Sequence, residues 1–244
     1  ARGTHRHHVG GGDRVPLFVD RAEHVGDGGR GEEVGTTHPG EVAVGFPQRP
    51  GLFEHSLQMM MVAVFLGLKS GLSERDCIPL AAAALLHDAG VLHMDPAWMD
   101  PLNKVTGVQR KHLVAHPITS MLMLKDAGVY PRSVEIAVLE HHERMDGSGY
   151  PRGLMQDDMS VEARMLAIAD VFEALTAADR PYKPPKALSE SLKIMTHMVR
   201  ERHIDAEVLR FFLTSGVWRD YAERFLTPAQ RDEVNVEAIL ASLG

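Results

Sequence analysis

Five histidines and two aspartates recur along this chain at or near the ends of successive helical segments: His55, the pair His87–Asp88, His116, the pair His141–His142, and Asp170. A lone histidine in a helix is ordinary. Five separate segments that each deliver one or two such groups, several out of apolar runs, are not. His87–Asp88 follows "AAAALL" directly, and Asp170 lies within "MLAIADVF". Burying an ionised carboxylate in such surroundings costs several kcal/mol unless it is paired or bound to a metal. Neighbouring helix residues point about 100° apart, so a His–Asp or His–His pair can reach two adjacent ions across an inward-turned face. Five imidazoles and two carboxylates are too many for one tetrahedral ion; they suit two, with one carboxylate bridging. Nitrogen and oxygen ligation without thiolate fits Fe, Mn or Zn. Two such ions about 3.5–4 Å apart can activate a water and clamp both the attacking and the leaving oxygen of a phosphodiester. The chemistry expected is metal-assisted hydrolysis.

The elements that must position these groups are helices. "LFEHSLQMMMVAVFLGLKSGL" carries Leu57, Met60, Met61, Val64, Phe65 and Leu68 at helical spacing, and its methionine run reads as core filler. "LSERDCIPLAAAALLHDAG" opens at Ser73 as an N-cap and is expected to end near Gly90. Thr106 is placed to cap "GVQRKHLVAH", and the chain continues helically after Pro117. Residues 131–133 open "VEIAVLEHHE", and "VEARMLAIADVFEALTAA" is a strongly apolar helix. Further helices are expected around 188–200 and 205–215, with a weaker one beyond Pro228, and Asp205 reads as an N-cap. No strand alternation stands out, so the fold class is all-α.

Residues 1–50 differ. They hold 11 of the 22 glycines and 5 of the 14 histidines, yet no Lys, Met, Ile, Trp or Tyr. With little to bury, they read as a loosely ordered tail or linker, or the remnant of an upstream region, before a domain at 51–244. A net charge of −7 supplies no global field for DNA or anionic lipid, so an anionic substrate needs a local positive site. Cys77 is the only cysteine, which excludes an intrachain disulfide and fits a reducing compartment; in "DCIPLAAAALL" it reads as a packed thiol. No apolar run reaches the roughly 18 residues that span a bilayer. The expectation is a cytoplasmic protein with no membrane insertion.

Together, "LLHDAG", "AHP", "LEHHERMDGSGYP" and "IADVFEALTAADRPYK" resemble the HD-GYP branch of the HD-domain phosphohydrolases, over about residues 51–215. The resemblance implies an all-helical bacterial signalling domain with a buried polynuclear iron or manganese centre. Its implied activity is hydrolysis of the second messenger cyclic di-GMP to linear pGpG and, in some members, on to GMP. It also implies that His55, His87, Asp88 and Asp170 hold one divalent ion. His116, His141 and His142 would hold the other, with Asp88 bridging, and His87 and Asp88 would position the activated water. Tyr150, Arg180 and Lys183 would contact the cyclic dinucleotide, with Gly147 and Gly149 letting the turn close over it. The expected role of Glu143 is to orient an imidazole or a metal-bound water.

Three departures from that family pattern bear on function. Val91 stands where the family's "HDxGK" has lysine, and His93 where it often has glycine. Gly51 stands one turn before the first histidine, where trinuclear members carry Glu, which favours two ions. The family's usual sensor domain is not visible. The alternative to an active phosphodiesterase is therefore a weakened member that binds metal and cyclic dinucleotide, or docks a protein partner through its GYP face.

Overall fold

The computed structural model describes residues 51–98, 104–177 and 185–243. The tail expected at 1–50, and Arg180 and Lys183, lie outside the described residues. Ten α-helices occur among the described residues: α1 (Leu52–Lys69), α2 (Glu74–Leu86), α3 (Gly107–Val114), α4 (His116–Ala127), α5 (Arg132–Glu140), α6 (Val161–Thr176), α7 (Leu188–Arg200), α8 (Ala206–Thr214), α9 (Val217–Phe225) and α10 (Val236–Ser242). The described residues form no strand, only an isolated bridge between Asp146 and Met155.

The helix starts follow local chemistry. Ser73, Ser160 and Asp205 accept hydrogen bonds from backbone N–H groups that a first helical turn leaves unpaired. Thr106 and Gln109 cap each other reciprocally at the start of α3. Helix α6 is the axis of the fold. Its middle is buried all round, from Met165 to Phe172, and it packs against α1, α5, α7 and α8. Met59, Val62 and Leu66 of α1 and Leu80 and Ala84 of α2 close one side of the core; Phe212 and Tyr221 pack on Phe172 from the other. Cys77 is buried and free.

Three expectations are corrected. The buried face of α1 is Ser56, Met59, Val62, Ala63 and Leu66, whereas Leu57 and Leu68 are exposed and Met60, Met61 and Val64 half-buried. Apolar residues surround this helix, so periodicity alone does not select the inward side. Helix α2 ends at Leu86 rather than near Gly90, because Asp88 (φ −99°, ψ 13°) leaves the helical region and a 3-10 helix, Ala89–His93, follows. Helix α9 was not expected; it is nine residues long, charged on one face, and contributes Val217, Trp218 and Tyr221 to the core.

Candidate metal centre

Three of the histidines sit where a helix ends or the next begins, and that position fixes their chemistry. The last carbonyls of a helix have no intrahelical partner. His87 Nδ1 donates to Ala84 O (2.8 Å), His116 Nδ1 to Leu113 O (2.6 Å), and His141 Nδ1 to Val138 O (2.6 Å), each three residues back. With Nδ1 carrying the proton, each neutral ring presents an unprotonated Nε2. His55 reaches the same state differently, since its Nδ1 donates to the carboxylate of Glu173, three residues beyond Asp170 on α6.

The free edges converge. His116 Nε2 lies 3.2 Å from His141 Nε2 and 2.9 Å from Asp88 Oδ1, and His141 Nε2 lies 3.7 Å from the same oxygen. His87 Nε2 stands 3.4 Å from Asp88 Oδ2, and His55 Nε2 stands 3.4 Å from Asp170 Oδ1. Ligand atoms fall into two groups, Asp88–His116–His141–His142 and His55–His87–Asp170, each within 4.8 Å of one another. All seven expected ligands are thus brought together, with Asp88 between the groups. His141 and His142, held neutral, bring ring lone pairs toward a carboxylate here, and Asp88 Oδ1 is buried without a hydrogen bond. Such an arrangement is repulsive unless cations stand in it. The residues therefore fit a pair of divalent ions with nitrogen and oxygen ligands.

The electrostatics of the metal-free site agree. Burial opposes charge on His87, but the Asp88 carboxylate beside it prevails and raises its pKa to about 9. For Asp88, burial is likewise outweighed, by His87 and His116, and its carboxyl is held well below the usual range. Burial, reinforced by neighbouring imidazoles, holds His141 and His142 well below the ordinary histidine value, so both stay neutral. Burial raises Asp170 against the pull of His55 and His87. A proton on His87 thus offsets part of the carboxylate charge when no metal is bound.

The turn after His142 closes over one side of the centre. Tyr150 N donates to His142 O (3.2 Å), and the phenol ring lies 4.8 Å from the His142 ring. The Tyr150–Pro151 peptide is cis. Gly147 has φ 76°, and a Cβ at Gly149 would meet Arg144 N at 2.4 Å and Glu143 Cα at 2.5 Å, so only glycine fits there. Glu143, expected to orient an imidazole or a metal-bound water, is seen here in contact with the following loop. Its two oxygens accept from Arg152 N (2.6 Å) and Leu154 N (2.9 Å), so it anchors the loop. Glu140, one turn earlier, holds the same loop by accepting from Ser160 N (2.9 Å) and Arg152 Nη1 (3.3 Å).

Two positioning residues were missed in the sequence. Glu173, which orients His55, shares the burial argument made for Asp170: it is an acid three residues further along the same apolar helix. Gly90 donates its N–H to Ser120 Oγ (2.8 Å), and a Cβ there would meet His116 O at 2.6 Å. That contact sets the Asp88 turn against the start of α4. Val91 is 1% exposed, and His93 is on the surface.

The HD-domain family profile matches residues 46–208, two-thirds of the chain. The chain belongs to the HD-domain family. This HD-domain chain is 32% identical over 161 residues (66% of the chain, 38% of the relative) to the cyclic di-GMP phosphodiesterase PA4108 of Pseudomonas aeruginosa. It is 35% identical over 157 residues (64% and 36%) to the 3'3'-cGAMP-specific phosphodiesterase 1 of Vibrio cholerae. It spans little more than a third of either relative. In fold it is similar to the HD domain of L. monocytogenes phosphodiesterase PgpH, solved in complex with cyclic-di-AMP: TM-score 0.54 at 15% identity, covering 75% of this chain and 94% of that one. Among the described residues, no helix is long and apolar enough to cross a membrane.

Proposed function

We propose that this HD-domain protein is a metal-dependent phosphodiesterase that hydrolyses cyclic di-GMP, or a mixed 3',3' cyclic dinucleotide, to the linear dinucleotide and on to mononucleotide. The observation that carries the reading is the convergence of imidazole Nε2 atoms on the orphaned Asp88 Oδ1. His55, His87, Asp88 and Asp170 would hold one ion, and His116, His141 and His142 the other, with Asp88 shared. Iron or manganese suits this donor set. When bound, the ions supply Lewis acidity toward a phosphoryl oxygen and a nucleophilic water at neutral pH.

The chain's own residues do the rest. Helix-end carbonyls and Glu173 hold the rings in one tautomer, so the site needs little reorganisation to receive ions. Tyr150 roofs the His116–His142 side, and burial followed by the nearby Asp88 and Asp170 charges raises its phenol pKa, keeping it a neutral hydrogen-bond donor for a phosphate or guanine oxygen. Gly147 and Gly149 permit the backbone to approach the substrate, and Arg180 and Lys183 would add cationic contacts. The activities of these relatives on cyclic dinucleotides support this assignment. A bacterial, cytoplasmic location goes with such a substrate.

A second reading, a weakened module that holds metal and ligand or docks a partner at the GYP turn, is favoured by one observation. Val91 is buried where a lysine would otherwise bring positive charge to the scissile phosphate. Kinetics decide between the two. The manganese-loaded chain should cleave cyclic di-GMP or 3',3'-cGAMP far faster than bis-p-nitrophenyl phosphate; binding of either dinucleotide without cleavage would leave the module.

A further inference from the structure

An acidic chain that takes an anionic substrate needs local positive charge, and two arginines bring it close to the metal centre. Arg144 lies in the turn between His142 and Tyr150, and Arg110 lies on α3. Both guanidinium charges reach the Tyr150 phenol, where they oppose the rise in its pKa that burial, Asp88 and Asp170 cause. The phenol ring stands 4.8 Å from the His142 ring and 6.4 Å from the His116 ring. Neither arginine is among the main groups that set the charge of Asp88, Asp170, His141 or His142. Both therefore stand off the ion sites, near the tyrosine that roofs them.

The backbone holds Arg144 in that place. Gly147 N donates to Arg144 O (3.0 Å), Tyr150 N to His142 O (3.2 Å), and Met145 N to His203 O (3.4 Å). Gly149 lies so close that a Cβ on it would meet Arg144 N at 2.4 Å. The segments that carry the arginine and the tyrosine are thus packed backbone to backbone. Arg144 is half-buried, yet no carboxylate answers it. Arg132, Arg152 and Arg164 pair with Glu135, Glu140 and Asp205; among the described residues neither Arg144 nor Arg110 forms an ion pair or a side-chain hydrogen bond. Asp146, two residues on, is engaged with Ser148 N (2.9 Å) and His203 (3.9 Å). A partly desolvated guanidinium without an anion suits a site whose anion arrives with the ligand.

On the phosphodiesterase reading above, on which this rests, a cyclic dinucleotide brings two phosphodiesters, and a pair of ions clamps the one being cleaved. We propose that Arg144, assisted by Arg110 of α3, binds the second phosphodiester of the ring and so selects cyclic dinucleotides over simple diesters. A guanidinium fork matches the two non-bridging oxygens of that phosphate. Tyr150 marks the boundary, with its ring against the ligand histidines and its hydroxyl in the field of the arginines.

The test compares cyclic di-GMP, with two phosphodiesters, and bis-p-nitrophenyl phosphate, with one, on the manganese-loaded chain. Arg144→Ala should lower the ratio of kcat/KM for the first to that for the second about 10- to 100-fold, through KM rather than kcat. Arg144→Lys keeps the charge without the fork and should recover part of the ratio. Arg110→Ala should act in the same direction but more weakly, because that residue is exposed. Arg132→Ala, which breaks only the Glu135 pair on α5, should leave the ratio unchanged. Equilibrium dialysis with a cleavage-resistant bis-phosphorothioate cyclic di-GMP gives a readout apart from turnover, and Arg144→Ala should weaken that binding by the same factor. Equal losses on both substrates would put Arg144 at the scissile phosphate or in the fold, and overturn the proposal. Unchanged KM and binding in Arg144→Ala would also overturn it, while leaving the phosphodiesterase reading intact. A wild type that neither binds nor cleaves the dinucleotide overturns both.

Discussion

Glu173 accepts a hydrogen bond from Nδ1 of His55 across 118 residues of sequence, and this turns the Nε2 of that ring toward Asp170. A carboxylate behind a metal-binding imidazole fixes its tautomer and raises its basicity. Replacing Glu173 with Ala should weaken metal binding by about 10- to 100-fold. The loss should fall on one ion of the pair, because His116, His141 and His142 are anchored elsewhere. Glu173→Gln keeps an acceptor oxygen and should recover part of the affinity. Metal counted by plasma mass spectrometry after dialysis against increasing chelator distinguishes one ion lost from two.

Metal uptake should release protons. His87, raised to about 9, holds a proton at neutral pH when no metal is bound, and although burial opposes charge on His55, Glu173 and Asp170 raise its pKa as well. Affinity should therefore climb with pH up to about 9. Calorimetric titrations of Mn(II) at pH 7.5 in buffers of different ionisation enthalpy should show net proton release, and equal heats in all of them would refute this. The metal-free fold follows the same linkage. The contribution of His87 is fully present below its ordinary value of 6.5 and is lost as pH rises through about 9. His141 and His142, held neutral, act in the opposite sense and weaken the metal-free fold as pH falls below 6.5.

The loop after His142 depends on one carboxylate and one missing Cβ. Glu143→Ala strands the N–H groups of Arg152 and Leu154, at about 1–3 kcal/mol each if water does not replace the acceptor. Gly149→Ala drives a methyl into backbone at 2.4 Å and should cost about 1–3 kcal/mol or more. Both should lower the unfolding temperature and raise KM for dinucleotide. Metal content at saturating manganese should change little, since neither residue touches an ion site. A variant that loses both ions yet keeps its loop would return Glu143 to the centre.

Val91→Lys separates a weakened enzyme from a complete one. A cation near the scissile phosphate stabilises developing charge, so a gain in kcat of tenfold or more is expected if the site lacks one. Because Val91 is 1% exposed, the lysine enters a buried position, and a modest fall in thermal stability should accompany the gain. An unchanged kcat with metal retained would mean that other groups already supply that charge.

The cluster of candidate ligands was legible because its residue types are costly to bury unpaired: Asp88 and Asp170, set inside apolar runs, call for a cation by residue type and context alone. Helix starts were legible for a similar reason, since Ser73, Thr106 and Asp205 each answer a local demand for an acceptor. What periodicity could not resolve was direction. Helix α1 is apolar on nearly every side, and only packing decides that Met59 faces in and Leu57 out. Adjacency to His142 says nothing of the loop contacts of Glu143, whose oxygens accept from Arg152 N and Leu154 N. Glu173 went unread because its partner His55 lies at the far end of the domain.

The central claim is that the convergent imidazoles and carboxylates make a phosphodiesterase centre. It is tested most directly by incubating the iron- or manganese-loaded chain anaerobically with cyclic di-GMP and identifying products by chromatography and mass spectrometry, beside Asp88→Ala. The account predicts pGpG or GMP from the wild type and none from the variant. Intact cyclic di-GMP in the presence of two demonstrably bound ions, or equal turnover by Asp88→Ala, would contradict it.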